Sequence, residues 1–270
     1  KTVKNIAPSF AAINLEDISA PRCFEIENRL QDIGIPVMHD DQAGSAIVVL
    51  AGLINAAKVS GKKLKDLKIV INGAGAAGIA IARMLLCLSF EQGVCTPIRD
   101  LLMVDSEGII NQKRTNLNLQ KQEIAKHSNH KNISGSLQDA LKEADVFIGV
   151  SRPNLVTAED VRTMAKNAII FAMANPIPEI MPEEAIKGGA LVVGSGRSDY
   201  PNQINNSLAF PGVFKGAIKA KAKRITNSMK LAAAMALASM VKSPTPEKVI
   251  PTMFEKGLAE RVAEAVAKAA

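Results

Sequence analysis

The sequence is poor in aromatic residues. Its 270 residues include no tryptophan, a single tyrosine (Tyr200) and eight phenylalanines, so aromatic residues make up only 3% of it. A core with so few rings must be aliphatic, which is typical of helices packed on a buried parallel sheet. Hydrophobic residues make up 47% and charged residues 22%, and this balance excludes intrinsically disordered and collagen-like proteins.

Long apolar runs and cysteine motifs are also absent. No stretch reaches the roughly 18 consecutive apolar residues of a membrane span, and the longest candidate, residues 45–57, is interrupted by Asn55. No apolar segment of a signal peptide follows the basic first residues. The three cysteines match no metal-binding or disulfide spacing. We therefore expect a reduced, cytoplasmic protein that does not enter a membrane.

Basic residues are in modest excess, with 33 Lys and Arg against 26 Asp and Glu and a net charge of +7. They are scattered along the chain, and no aromatic side chains stand among them to stack on bases. This distribution argues against nucleic-acid binding and is compatible with a small anionic ligand.

The middle of the chain alternates between short apolar segments and helical patterns. The predicted strands are residues 67–72, 101–105, 145–150, 168–175 and 191–196. The predicted helices between them are residues 76–88, 137–143, 158–166 and 183–187. Continuous hydrophobicity in the strands indicates that both faces of the sheet are covered. The pattern predicts an α/β fold with a doubly wound, Rossmann-like parallel sheet.

The flanking segments are predicted to be mostly helical. A long helix is expected over residues 41–60, ending at Gly61. The Ala-rich C-terminal part predicts three more helices, over residues 212–223, 228–241 and 257–270.

A glycine-rich loop follows the first predicted strand of the sheet. Gly73, Gly75 and Gly78 form a complete G-x-G-x-x-G pattern, with Ala74, Ala76 and Ala77 between them. In a strand–loop–helix context the three glycines allow the tight turn, the approach of a pyrophosphate and the packing of the helix on the sheet. The context predicts that these six residues bind a dinucleotide. The alternative is a purely structural strand–turn–helix.

Asp105 ends the second predicted strand of the sheet. A carboxylate at this position would accept hydrogen bonds from the adenosine ribose and repel a 2′-phosphate, which favours NAD. Lys113 and Arg114 follow and could accommodate a phosphate, so NADP remains an alternative. Asp105 could also be an ordinary turn residue.

Two pairs of adjacent acids suggest a metal site. Glu16-Asp17 lies among apolar residues, and Asp40-Asp41 precedes the long predicted helix. Carboxylates in apolar surroundings are costly unless they are compensated, and oxygen ligands suit Mg²⁺ or Mn²⁺. On composition alone, surface acids and a helix cap at Asp41 are the more ordinary interpretation.

Seven segments together resemble the malic enzymes, specifically the compact microbial type. They span nearly the whole chain and occur in the family's order. These are residues 13–24, 35–42, 72–78, 174–179, 196–206, 210–217 and 229–234. Several such segments in register are far more specific than any one of them.

The resemblance implies roles for individual residues. Glu16, Asp17 and Asp41 are the implied metal ligands. Asn175 and Asn206 are placed at the substrate, with Asn175 also at the cofactor and Asn205 near the nicotinamide. From the residues alone, a turn at Asn175 and a helix start at Asn205-Asn206 are the simpler interpretations.

The activity that the resemblance implies is the oxidative decarboxylation of (S)-malate to pyruvate and CO₂. NAD or NADP would be reduced, and Mg²⁺ or Mn²⁺ would be required. The resemblance also implies a homodimer and a discontinuous architecture. The dinucleotide domain (residues 41–206) would be inserted into a partial, mostly helical second domain formed by residues 1–40 and 207–270.

The chain departs from the family pattern in its proton-transfer groups. The family takes a tyrosine acid and a lysine base from a segment that precedes the Asn-Leu-Glu-Asp block, which here begins at Asn14. Tyr200 belongs to a different block, and Lys1 and Lys4 lie too close to the acids to match. We therefore expect this chain to be part of a longer enzyme, in which Asp40 supports the proton relay.

Smaller departures are Ala11-Ala12 in place of glycines, and Ala43 in place of a histidine. Both could lower activity, and neither removes a proposed ligand. Two other functions remain open. A malolactic enzyme would keep the cofactor and release lactate, and a non-catalytic dinucleotide-binding module would use the acids only as helix caps.

Overall fold

The computed structural model describes all 270 residues, and its centre is a parallel β-sheet. The strands in chain order are β1 (Ile13–Leu15), β2 (Val37–His39), β3 (Lys68–Asn72), β4 (Asp100–Asp105), β5 (Gly108–Ile109), β6 (Val146–Gly149), β7 (Ile169–Ala172) and β8 (Val192–Ser195).

Eleven α-helices surround the strands. They are α1 (Thr2–Ile6), α2 (Arg22–Leu30), α3 (Asp40–Ser60), α4 (Ala76–Leu85), α5 (Leu119–His127), α6 (Leu137–Leu141), α7 (Ala158–Arg162), α8 (Pro182–Lys187), α9 (Phe210–Lys219), α10 (Asn227–Met240) and α11 (Leu258–Lys268). Short 3-10 turns occur at Ala7–Ser9, Leu64–Asp66 and Asn206–Leu208.

The main sheet has six strands in the order β5-β4-β3-β6-β7-β8. All neighbouring pairs are parallel except β4 with the short edge strand β5. The chain moves outward from β3 to β4 and then returns to add β6 on the other side of β3. This reversal is the topological switch point at which open α/β sheets bind ligands. The predicted doubly wound sheet is confirmed.

The side chains of alternate β3 residues are buried on opposite faces of the sheet, and for this reason the strand is continuously apolar. Ile69 and Ile71 belong to a cluster of 50 buried residues. Val70 faces the opposite side and belongs to a cluster of 16. Helices therefore cover both faces of the sheet, as the apolar runs predict.

The long helix α3 joins the flanking segments to the sheet. It ends where expected, at Gly61, which has a φ of +73° and lies in the left-handed region that glycine favours. Leu53 of α3 and Leu237 of α10 are buried in the same cluster as Ile71 of β3. The proposed domain boundary at residue 41 falls in the first turn of α3, and the division into domains stays a prediction.

Helix α3 also satisfies the length and composition of a membrane-spanning helix. However, 83% of its most apolar window is buried inside the structure. A core helix meets the same criterion, so α3 is weak evidence for a membrane span.

One expectation about the cysteines is wrong. Cys87 and Cys95 form a disulfide with a Cα–Cα distance of 5.7 Å, whereas Cys23 is free and buried. The chain folds back after α4, where Cys87 has a φ of +55° and the N–H of Ile98 donates to the carbonyl oxygen of Leu85 at 3.0 Å. Cysteine usage therefore gives no support for a reducing compartment.

Candidate functional site

The glycine-rich loop joins β3 to α4 in the expected geometry. Gly73 has a φ of +117°, and a Cβ atom there would lie 2.5 Å from the carbonyl oxygen of Val150. A Cβ on Gly78 would lie 1.7 Å from the carbonyl oxygen of Gly73. Both glycines are therefore required by close backbone packing.

Gly75 differs from the other two glycines, because a Cβ there would meet no protein atom within 4 Å. It is exposed and occupies the N-cap position of α4, ahead of Ala76 and Ala77 in the first turn. Ala74, Ala76 and Ala77 are partly buried against the large core cluster. The open space at Gly75 therefore adjoins the N-terminus of α4. The free N–H groups of a helix N-terminus are a favourable binding place for a pyrophosphate.

A cavity of about 480 Å³ lies at the carboxyl ends of β3, β4 and β6. It is lined mainly by polar residues, among them Asn72, Asp105, Glu107, Ser136, Ser151 and Arg152. Its position beside the glycine-rich loop and the end of β4 fits the adenosine half of a dinucleotide.

Asp105 lies at this cavity, but its carboxylate already has two cationic partners. Arg114 donates to both carboxylate oxygens, at 2.8 and 3.2 Å, and Lys121 Nζ lies 2.6 Å from Oδ2. Only 7% of the Asp105 side chain is exposed. Burial acts to raise the pKa of Asp105, but the hydrogen bonds from Arg114 and Lys121 outweigh it and lower the pKa. A ribose would thus meet a carboxylate whose negative charge is balanced by Arg114 and Lys121.

The two acid pairs are brought to one edge by β1 and β2. These strands are parallel, with Leu15 opposite His39, so Glu16-Asp17 and Asp40-Asp41 leave neighbouring strands at the same end. The backbone N–H of Asp17 donates to Asp41 Oδ2 at 3.0 Å. The acids predicted from separate motifs are therefore neighbours in space.

The donor atoms in this acid cluster suit a hard divalent cation, but they do not converge. Glu16 and Asp17 are exposed and Asp41 is partly buried. No group of three or more His, Cys, Asp or Glu side chains in the structure is arranged to hold a metal ion. The residues fit Mg²⁺ or Mn²⁺ in the chemistry of their oxygen donors, and the ion itself stays a proposal.

Asp40 is the buried member of the cluster. Only 1% of it is exposed, its Oδ2 accepts a 2.7 Å hydrogen bond from Asn206 Nδ2, and its Oδ1 has no partner. Burial first, and then the charges of Glu16 and Asp41, raise the pKa of Asp40 to about 7. Asp40 can therefore hold or release a proton near neutral pH.

The three asparagines implied by the resemblance lie in different settings. Asn206 contacts Asp40, as described above. Asn205 accepts a 2.9 Å hydrogen bond from the N–H of Ser207 and caps the 3-10 turn, in keeping with the simpler interpretation as a helix start. Asn175 is exposed and lines an open polar cavity together with Arg197 and Gln203.

Tyr200 lies outside the acid cluster, whereas His39 and Ala43 are buried, with His39 Nδ1 3.9 Å from Asp41 Oδ2. Tyr200 donates to Glu183 at 2.9 Å and stands under the Arg197 guanidinium, so it takes no part in the acid cluster. His39 is fully buried and neither ring nitrogen has a hydrogen-bond partner. Ala43 is buried in α3.

Sequence reasoning assigned no role to Glu179 and did not pair Arg114 with Asp105. Glu179 is fully buried, and its carboxylate accepts N–H groups from two loops at the carboxyl edge of the sheet. The sequence does contain a signal for this role. Glu179 stands between Pro-Ile-Pro and Ile180-Met181, and an acid among apolar residues requires hydrogen-bond partners when it is buried.

A protein-family model and several curated proteins match this chain. A family model described as "Malic enzyme, NAD binding domain" matches residues 42–270. A bifunctional malic/malolactic enzyme of Bacillus subtilis is 54% identical over 100% of this chain and 65% of its own length. An NAD-dependent malic enzyme of Geobacillus stearothermophilus is 52% identical over 99% of this chain and 55% of its own length.

An NADP-dependent malic enzyme of Halomonas elongata is 43% identical over 100% of this chain and 66% of its own length. Among solved structures, the NAD-dependent malic enzyme of Thermotoga maritima superposes with a TM-score of 0.93 at 46% identity. That match covers 100% of this chain and 70% of the other. The chain thus spans about two-thirds or less of the length of these curated relatives.

Proposed function

This chain belongs to the malic enzyme family, and we propose that the protein catalyses the oxidative decarboxylation of (S)-malate to pyruvate and CO₂. One observation carries the proposal. The acid loop, the start of α3 and the Asn206 turn meet through two hydrogen bonds, from Asp17 N–H to Asp41 and from Asn206 to Asp40. This contact supports a site in which a cation, a proton and a substrate carboxylate would be bound side by side.

The cofactor is proposed to bind along the glycine-rich loop. Gly75 would let the pyrophosphate approach the backbone, and the N-terminus of α4 would stabilise its charge. When bound, the nicotinamide supplies the hydride acceptor for C2 of malate, and the divalent cation supplies a Lewis acid at the C2 oxygen. Glu16, Asp17 and Asp41 would hold that cation.

The residues of this chain contribute binding and proton handling. Asp40 would hold a proton at its unpartnered Oδ1 while Asn206 fixes Oδ2. A pKa near 7 makes this carboxyl able to exchange a proton with a neighbouring acid or base at neutral pH. The side-chain amides of Asn175 and Asn206 would orient the malate carboxylates.

We propose NAD as the preferred cofactor, with NADP as the alternative. Asp105 would meet the adenosine ribose, and a carboxylate there disfavours a 2′-phosphate. Arg114 and Lys121 weaken this repulsion by pairing with Asp105. One relative is named for NAD and another for NADP. We therefore expect the charges around Asp105 to decide which cofactor this protein prefers.

The alternative outcome is malolactic conversion, in which CO₂ is lost but lactate is released and the cofactor stays bound. The name of the Bacillus subtilis relative, a bifunctional malic/malolactic enzyme, supports keeping this outcome. We further propose that the protein acts as a cytoplasmic homodimer, with the Ala-rich helices α10 and α11 as candidates for the interface.

The test is product analysis with the full-length protein, malate, Mn²⁺ and each nicotinamide cofactor. Malic enzyme activity predicts pyruvate together with NADH or NADPH. Lactate without accumulation of reduced cofactor would indicate the malolactic reaction. Cofactor binding without turnover under any of these conditions would favour the non-catalytic dinucleotide-binding module.

A further inference from the structure

Glu179 is a fully buried carboxylate between β7 and α8. Its Oε1 accepts the backbone N–H of Ser151 at 2.8 Å, and its Oε2 accepts the backbone N–H of Ala174 at 3.1 Å. Ser151 belongs to the loop after β6, and Ala174 to the loop after β7. One side chain therefore connects two loops at the edge of the sheet where ligands bind.

The backbone beside Glu179 strengthens the same connection. The carbonyl oxygen of Glu179 accepts N–H groups from Leu155 at 2.9 Å and Val156 at 3.1 Å. The carbonyl oxygen of Pro178 accepts the N–H of Asn154 at 3.1 Å. The loop after β6 is thus held to residues 178–179 by its backbone as well as by the carboxylate.

Gly149 provides the space for this carboxylate. A Cβ atom on Gly149 would lie 2.3 Å from Glu179 Cδ. No Lys or Arg forms an ion pair with Glu179, so its partners are backbone N–H groups. Burial raises the pKa of Glu179, while the hydrogen bonds from Ser151 and Ala174 act in the opposite direction.

The two loops carry groups that the proposed reaction uses. Ser151 lines the cavity that fits the adenosine half of the cofactor, together with Asn72 and Asp105. Ala174 directly precedes Asn175, which the family resemblance places at the substrate and the cofactor. A shift of either loop would therefore move a binding group.

We propose that Glu179 is a positioning residue, which fixes the Ser151 loop and the Asn175 loop relative to each other for cofactor and malate binding. This inference rests on the proposed function. Glu179 touches neither substrate nor cofactor, and it acts through the two N–H groups that it holds.

The test compares Glu179→Gln with the control Glu184→Gln in the full-length protein. Gln keeps the volume of the side chain, but it turns an NH₂ group toward one of the two N–H donors and so loses one hydrogen bond. Glu184 is an exposed acid on α8 that pairs only with Lys187. The measurements are the Kd of NADH by fluorescence, the KM and kcat for malate, and hydrogen exchange at Ser151 and Ala174.

For Glu179→Gln we expect a Kd for NADH and a KM for malate that are each about tenfold higher, because a hydrogen bond to a charged group is lost. We expect faster exchange at both amides, and no such change in Glu184→Gln. An unchanged Kd and KM in folded Glu179→Gln protein would overturn the proposal, even with faster exchange, since Glu179 would then be merely structural.

A measurement on the unmodified protein covers the case in which Glu179→Gln does not fold. Saturating NADH should slow hydrogen exchange at Ser151 and Ala174 together, and unchanged exchange at both would overturn the inference. Because NADH binding is measured without turnover, failure of malate conversion can be distinguished from failure of the Glu179 proposal.

Discussion

The side-chain amide of Asn206 donates a 2.7 Å hydrogen bond to Oδ2 of Asp40, and the two residues are 166 positions apart in the chain. Both residues pack closely against Gly44. A Cβ atom on Gly44 would lie 2.1 Å from Asp40 Oδ1 and 2.8 Å from Asn206 Cβ. It joins the first turn of α3 to the 3-10 turn that precedes α9. A buried acid with one free oxygen is thereby held at the edge of the acid cluster.

The first prediction concerns the pH dependence of stability in the metal-free protein. The pKa of Asp40 is raised to about 7 from 3.8, so between these values the folded state keeps a proton that the unfolded state releases. The free energy of unfolding should therefore fall as pH rises from about 4 to 7. We expect Asp40→Asn to be about 2 kcal/mol more stable than the unmodified protein at pH 8, with no such gain at pH 4.

Urea denaturation in EDTA at pH 4, 6 and 8 checks this prediction. The buried Asp40 carboxylate would not be the source of the effect if the two proteins lost stability in parallel across this range.

The second prediction concerns the cation. Saturating Mn²⁺ should raise the Tm of the full-length protein by about 5 °C, because a ligand that binds only the folded state stabilises it by mass action. Asp41→Asn should remove most of this shift, because it replaces a charged oxygen donor. Asp66→Asn, at an exposed acid in a 3-10 turn remote from the cluster, should keep it.

Thermal melts of the three proteins with and without Mn²⁺ measure the effect. Equal shifts in all of them would mean that Asp41 is not a ligand of the ion. Asp41 does not cap α3, because the N-cap residue is His39 and no side chain caps the helix.

The third prediction separates the roles of two glycines in the cofactor loop. Gly75→Ala should fold normally, because no protein atom lies within 4 Å of the added Cβ, and should weaken NADH binding by about tenfold or more by blocking the pyrophosphate. Gly78→Ala should instead lose about 3 kcal/mol of stability, because its Cβ would lie 1.7 Å from the Gly73 carbonyl oxygen. Chemical denaturation and NADH titration of both variants provide the check, and unimpaired binding by Gly75→Ala would argue against a pyrophosphate at this loop.

The fourth prediction concerns cofactor choice. Asp105→Asn removes the carboxylate and leaves Arg114 and Lys121 free to meet a 2′-phosphate. The ratio of kcat/KM for NADP to that for NAD should rise about tenfold. Asp100→Asn, at the opposite end of β4, is the matched control and should leave the ratio unchanged. A constant ratio in Asp105→Asn would place the adenosine ribose elsewhere.

The parts of the fold that the sequence predicted depend on local patterns. The five main strands and the helix at residues 40–60 follow from continuous apolar runs and from Gly61, although β7 is shorter than predicted and ends at Ala172. The short strands β1, β2 and β5 and the helices α1, α2 and α5 were not predicted. α5 is a mostly polar surface helix that buries only Ile124 and Ala125, so its hydrophobic pattern is weak. α2 is amphipathic and buries Cys23, Phe24 and Leu30, but it is only nine residues long.

The site was predicted as a set of motifs, and the contacts between them were not. The bond between Asn206 and Asp40 and the pairing of Asp105 with Arg114 depend on how distant segments pack. The disulfide between Cys87 and Cys95 depends on a chain reversal after α4. No spacing rule encodes such contacts, because tertiary packing determines them.

The most direct test of the proposed reaction follows the fate of one malate carbon. With the full-length protein, [4-¹³C]malate, NAD and Mn²⁺, we expect labelled CO₂ and NADH in a one-to-one ratio, because oxidation at C2 gives a β-keto acid that loses its C4 carboxylate. Labelled CO₂ without NADH, or no labelled CO₂ with either nicotinamide cofactor, would contradict it.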